Sequence, residues 1–155
     1  MNYYSQQLIS CIENVVLLSI TGIVMSVPKV LLQTLPKPIL VETENGLQVS
    51  IPEERASATL SWLEPDLLFP GIELGLGKWL WFNRIINQSG KPYLGTILLD
   101  AVLSHCKKSR YSILNEVNAY GALSQKDLEN WYISKGFRPL DYKKYGNKLL
   151  IWRPE

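Results

Sequence analysis

Histidine and cysteine are almost missing from these 155 residues: His105 stands alone, and Cys11 and Cys106 are the only thiols. One imidazole excludes a multi-histidine metal centre. Two cysteines with neither metal-ligand spacing nor a Cys-x-x-Cys pair exclude a zinc ribbon and a redox motif of that type. Both sit in apolar stretches, which predicts buried free thiols in a reducing, cytoplasmic setting. A charge excess is lacking as well: the formal net charge is +2 and 19% of residues are charged, so nothing electrostatic points to nucleic acid. A bilayer-length apolar run is also absent. Glu13 and Asn14 interrupt the N-terminal stretch and leave residues 15–27, too short to span a membrane as a helix. No Lys or Arg precedes Lys29, so a signal peptide would lack its positive region. The stretch reads as core-facing structure, and a membrane-associated N-terminus is the competing reading.

What is present suits one globular domain. Hydrophobic residues make up 46% of the chain, enough for a real core at this length. Charge is unevenly spread. Residues 42–73 carry seven acids against Arg55 alone, whereas residues 105–155 carry ten Lys/Arg against five acids. That basic half could receive a polyphosphate or an acidic partner.

Residues 3–18 can be written as a helix with Leu8, Ile12, Val15 and Val16 along one stripe, while residues 20–27 are richer in β-branched side chains and read as a strand ending at Pro28. Leu35-Pro36-Lys37-Pro38 is a loop or linker, since two prolines fix φ and remove donors. Asn45-Gly46 between residues 39–42 and 47–51 signals a hairpin. Residues 58–63 and 67–69 are extended segments, and Gly71, Gly75 and Gly77 mark a turn region. From residue 79 the pattern sharpens. Residues 79–87 are a strand of aromatic and β-branched side chains, and residues 88–92 are a loop. Leu94, Ile97, Leu98, Ala101 and Val102 mark a helix reaching about Lys108, and residues 111–117 are the next strand. Ser124 with Asp127 three residues on starts a second helix carrying Leu128, Trp131 and Tyr132, which Gly136 stops. Residues 148–152 are the last strand. Strand, helix, strand implies a βαβ crossover. The fold class expected is therefore α/β: a mixed, mostly antiparallel central sheet with flanking helices.

The turn before the first of these helices carries Gly90, Lys91 and Gly95. A helix N-terminus with nearby glycines and a cation can hold phosphate. Gly90-Lys91-Pro92-Tyr93-Leu94-Gly95-Thr96-Ile97-Leu98-Leu99 resembles the acyl-CoA loop of the GNAT superfamily of acyl-CoA N-acyltransferases. Ser124 to Tyr132, followed by Gly136-Phe137, is similar to that family's helix ending in Tyr-x-x-x-Gly-Phe. The resemblance covers residues 79–153, about half the chain. It implies a GNAT-like fold, acetyl-CoA as cosubstrate and direct attack by an amine of a small molecule or peptide. Ile85, Ile86 and Asn87 would pair with the pantetheine arm, and Gly90, Lys91, Tyr93, Gly95 and Thr96 would surround the pyrophosphate. Gln125 stands where many members carry Asn at the approach to the helix. Tyr132 would donate a proton to the departing sulfur, a role that suits a phenol still protonated at neutral pH. Glu73 and Glu116 are the candidate bases. The chain departs from the family loop by placing Gly90 at an Arg or Gln position and Tyr93 at a small-residue position, while Pro92 removes a backbone donor. Those departures favour the alternative reading, a GNAT-like binding or assembly module without turnover. His105 reads as a solvated or capping residue near a helix end, and Trp79 and Trp81 share one sheet face. The sequence leaves the amine and the oligomeric state open, a homodimer included.

Overall fold

The computed structural model describes the backbone of residues 9–12, 15–20, 23–28, 35–64, 74–119, 123–140 and 148–155, with side chains from Leu35 onward. The chain forms two compact units, Met1–Lys37 and Pro38–Glu155, and the boundary falls in the Pro36-Lys37-Pro38 run. The first unit holds three antiparallel strands, β1 (Ile9–Ile12), β2 (Val15–Ile20) and β3 (Ile23–Pro28), in the order β1-β2-β3. The helix expected over residues 3–18 is thus corrected at residues 9–12 and 15–20, which are strands. Short apolar runs carry no decisive period, and pairing along Val15, Val16 and Ile20 with Pro28, Val27 and Ile23 supplies the backbone partners that decide it.

Among the described residues the second unit contains seven strands and two helices. Strands β4 (Ile39–Thr43) and β5 (Gly46–Ile51) form the expected hairpin, and a 3-10 turn (Pro52–Glu54) leads to β6 (Ala56–Leu63). Then follow β7 (Lys78–Asn87), α1 (Tyr93–Ser109), β8 (Tyr111–Glu116), α2 (Gln125–Ser134), β9 (Arg138–Leu140) and β10 (Leu149–Trp152). The sheet order is β4-β5-β6-β7-β8-β10-β9. Only β7 and β8 run parallel, joined by the α1 crossover, and the remaining neighbours are antiparallel. The α/β class and the mixed, mostly antiparallel sheet are as expected. The extended segment expected over residues 67–69 lies outside the described residues, as does Gly71.

Alternation sorts the side chains onto two faces. Val49, Ala58, Leu60, Leu80, Phe82, Ile113 and Leu150 share a buried cluster with Leu94, Leu98, Leu99, Val102 and Cys106 of α1 and Tyr132 of α2. Both helices therefore cover the same face. The other face carries a smaller cluster of Leu63, Leu74, Trp79, Leu114 and Leu149, packed by Trp81, with no helix in it among the described residues. Cys106 is fully buried and free, as expected; the side chain of Cys11 lies outside the described residues.

Local chemistry explains the boundaries. The hydroxyl of Ser124 accepts from the Asp127 amide at 3.2 Å and donates to the Asp127 carboxylate at 2.6 Å, which caps α2. Arg110 adopts a left-handed conformation (φ 58) to close α1. Gly46 begins β5 at φ 148, where a side chain would run into the backbone of Leu60 and Ser61. Among the described residues no helix is long and apolar enough to cross a membrane.

Gly46 and Gly90 give a contrasting test. Gly46→Ala meets strand backbone that cannot yield, so its expected loss in urea unfolding is about 2 kcal/mol or more. Gly90 (φ 73) has nothing within 4 Å of an added Cβ, so Gly90→Ala carries only the conformational cost, about 1 kcal/mol. Equal losses at the two positions would contradict this account.

Candidate functional site

The parallel pairing of β7 with β8 is short. It runs from Lys78 opposite Tyr111 to Phe82 opposite Asn115, while β7 continues to Asn87 against β6 alone. The ladder with β6 slips at the same place: Thr59 faces Arg84 but Leu60 faces Phe82, so Asn83 is an extra residue. A bulge bends its strand and increases the twist, and here it falls immediately after the last β7–β8 pair, one residue before β8 ends at Glu116. The Asn83 side-chain amide secures the bulge by donating to the Ser61 hydroxyl at 2.7 Å. The extra residue also shifts the alternation, so that Ile85 packs towards the helices although Leu80 and Phe82 set the opposite parity.

Three groups converge where the strands part. Phe82 meets the Tyr132 ring edge-on, with centroids 5.8 Å apart. Tyr132 is held on its other sides by Trp131 at 4.8 Å and Phe137 at 5.2 Å. Asn115, on the inward alternation of β8 between Ile113 and Val117, is 3% exposed. Its Nδ2 has no hydrogen-bond partner among the described residues. Burial pushes the Tyr132 phenol up to about 12, and the neighbouring Asn115 amide pulls the other way. That amide stands close enough to favour a phenolate, yet it falls short of hydrogen-bond geometry.

The turn after β7 is built by Asn87. Its Nδ2 donates to the Lys91 carbonyl at 2.7 Å, while its Oδ1 accepts from the Ser89 hydroxyl at 2.9 Å and the Ser89 amide at 3.3 Å. Gly90 and Gly95 leave open space around their Cα atoms. Helix α1 begins after Pro92, which offers no side-chain cap, and its first turn contains no acid. Tyr93 is 44% exposed. The turn is therefore an open, uncapped helix start, whose N–H groups and partial positive charge suit an anion. Its cation is engaged: Lys91 Nζ lies 2.6 Å from Glu54, and that hydrogen bond raises the lysine pKa.

The structure brings only some of the sequence-derived candidates together. Ile85, Asn87, Gly90, Lys91, Tyr93, Gly95 and Thr96 gather around the end of β7 and the start of α1, on the side of the sheet that holds Tyr132. Ile86 points the other way, lining a concavity of about 320 Å³ with Ser50, Arg55, Ser57 and Gln88. Gln125 is occupied by backbone: its Nε2 donates to the Val117 carbonyl at 2.6 Å and its Oε1 accepts from the Ala119 amide at 3.0 Å. It holds the β8–α2 connection. Glu116 ends β8 one position after Asn115, and alternation sets it on the face opposite the phenol. Glu73 lies outside the described residues.

Sequence reasoning passed over Asn83 and Asn115. Asn115 left a legible signal, a polar residue two positions from both Ile113 and Val117 on an inward-facing alternation; Asn83 left none, because a bulge needs a partner strand to exist. His105 lies near the end of α1, with Nε2 3.0 Å from Glu42 and 3.5 Å from the Ser109 hydroxyl. Both partners meet the same ring nitrogen, so these three side chains do not form an acid–imidazole–hydroxyl relay. No group of three or more His, Cys, Asp or Glu side chains is placed to hold a metal among the described residues.

No protein-family model matches the chain. No curated protein matches it either. Among solved structures it is similar to the anti-CRISPR protein AcrVA5, at 16% identity and a TM-score of 0.46, over 75% of this chain and 98% of that one. What the chain does has to be read from its own residues.

The phenol offers a test of the site's burial. Its folded value of about 12 exceeds its ordinary value of 10, so between those pH values the unfolded chain loses the proton first. The stability contribution is complete below about pH 10 and is lost as pH rises through about 12. Across that window wild type should lose about 2 kcal/mol more than Tyr132→Phe. Parallel stability-against-pH curves for the two proteins would show that the phenol is solvated.

Proposed function

We propose that the chain is an acyl-CoA-dependent N-acyltransferase, moving an acetyl group from acetyl-CoA to an amine of a small molecule or peptide in the cytoplasm. The observation that carries this reading is the parting of β7 from β8 at Phe82 and Asn115, with the Tyr132 phenol at the gap and an open helix start on the same side of the sheet. The residues fit the cosubstrate in three ways. Past Phe82 the β7 backbone is free of β8, so an extended amide-bearing arm can add to it as a strand does. The uncapped start of α1, beside Gly90 and Gly95, suits a diphosphate. The buried phenol keeps its proton at any physiological pH.

When bound, acetyl-CoA supplies an activated carbonyl and a sulfur leaving group. The amine nitrogen forms the new bond to carbon, the carbon–sulfur bond breaks, and sulfur keeps that electron pair. A base removes the proton from the incoming amine. Glu116 is the candidate, on the face of the sheet opposite the phenol. Tyr132 donates a hydrogen bond to sulfur as negative charge gathers there. Full transfer from a phenol at about 12 to a thiolate of ordinary basicity, about 8.5, runs uphill. Stabilisation by the hydrogen bond is therefore the main service of Tyr132 in this scheme.

The second reading, a GNAT-like module without turnover, draws support from the Lys91–Glu54 pair, which takes the turn's cation. Two measurements separate the readings. Acetyl-CoA at about one hundred times its dissociation constant should stabilise the protein by about 2.7 kcal/mol. Thiol release with a panel of amines should then fall on the order of 10²-fold in Tyr132→Phe, with the ligand-induced stabilisation retained. Glu54→Gln frees Lys91 and should tighten acetyl-CoA binding. Stabilisation without thiol release from any amine would support the inactive module, and no stabilisation at all would end both readings.

A further inference from the structure

Asn115 is an expensive residue for its position. It lies 3% exposed on the core face of β8, between Ile113 and Val117, which are 0% and 1% exposed. A buried amide donor left without a partner destabilises the fold, and an apolar side chain of similar size would avoid that cost. Its polar neighbour is the buried Tyr132 phenol, yet its Nδ2 makes no hydrogen bond among the described residues. Its place in the topology is specific, however. Asn115 is the last residue of β8 to pair with β7, opposite Phe82, and β7 bulges at the next residue and leaves. The Nδ2, unpartnered among the described residues, and the Tyr132 phenol therefore stand together, both buried, beside the last β7–β8 pair.

We propose that the Asn115 side-chain amide donates a hydrogen bond to the carbonyl oxygen of the bound thioester, beside the phenol that serves the sulfur. This rests on the acyltransferase reading and adds a residue to it. The chemistry favours that target. An amide N–H is a neutral donor, of no use to an ammonium and well suited to an oxygen that gains negative charge as the nitrogen–carbon bond forms. The electron pair displaced onto that oxygen returns as the carbon–sulfur bond breaks, so the donor is engaged most strongly between the two events. Burial makes it effective, because a fixed donor in a water-poor site needs no reorganisation when the charge appears. The unmatched amide of the free protein is the stability given up for that arrangement.

The test compares two ligands that differ at the carbonyl. Calorimetric dissociation constants for acetyl-CoA and for CoA, which lacks that oxygen, are measured on wild type, Asn115→Leu and Asn115→Val, with urea unfolding of each free protein. Wild type should prefer acetyl-CoA about three- to tenfold. In Asn115→Leu the preference should collapse to near one, with the CoA constant changed less than about twofold and the free protein more resistant to urea. Asn115→Val also removes the donor, with a smaller β-branched side chain that suits a strand, and should likewise lose the preference, which covers the case of a leucine variant that does not fold. A preference that survives in both variants, or none in wild type, overturns the role of Asn115 and leaves the acyltransferase reading standing. If wild type binds neither ligand, that reading fails and this proposal falls with it.

Discussion

The candidate site depends on a single extra residue. Asn83 interrupts the β6–β7 ladder immediately after Phe82, the last position at which β7 touches β8. Strand β8 itself ends at Glu116, one residue past that pair, so the last residues of β7 keep β6 as their strand neighbour among the described residues. The bulge adds a local bend and re-aims Ile85 towards the helices. The Asn83–Ser61 hydrogen bond keeps the slip in one place.

The opposite end of the same strands is held shut. Glu42 of β4 accepts from the Tyr111 hydroxyl at 3.0 Å and meets His105 of α1 at 3.0 Å. Trp62 packs edge-on to Tyr111 at 5.1 Å and donates to the Thr43 carbonyl at 3.1 Å. Lys78 lies over both rings, 5.3 Å and 5.6 Å from their centroids. Four strands and a helix are thus joined where β7 begins. Such a clamp keeps the parallel pair together over Lys78 to Phe82 and confines its opening to the far end. Parallel pairing is the weaker kind of ladder, and here it is supported at one end and released at the other.

Polar groups around the gap divide into those that build and those left to act. Asn87 and Gln125 spend their amides on backbone, shaping the turn after β7 and the connection after β8. Lys91 is held by Glu54. Among the described residues on the helix side, the start of α1 has no side-chain cap and the Asn115 Nδ2 has no hydrogen-bond partner, with the Tyr132 phenol beside it. All three are donors.

The sequence by itself determined much of the second unit. The periods of residues 79–87 and 94–108, the Ser124 cap and the stop at Gly136 are local features, and each reappears as an element within a residue or two. The α/β class and the crossover followed from their order. Tyr132 and the glycines of the turn were legible because resemblance resides in short motifs. Strand pairing decided the rest. The short apolar runs of residues 9–28 became strands because neighbouring segments supplied hydrogen-bond partners, which no period within one segment reveals. The bulge at Asn83 is a mismatch between two strands distant in sequence, and only the paired sheet shows where β7 leaves β8. Asn115 gains its meaning from that departure: in the sequence it is one polar residue in a strand, and in the fold it is a buried donor at an opening.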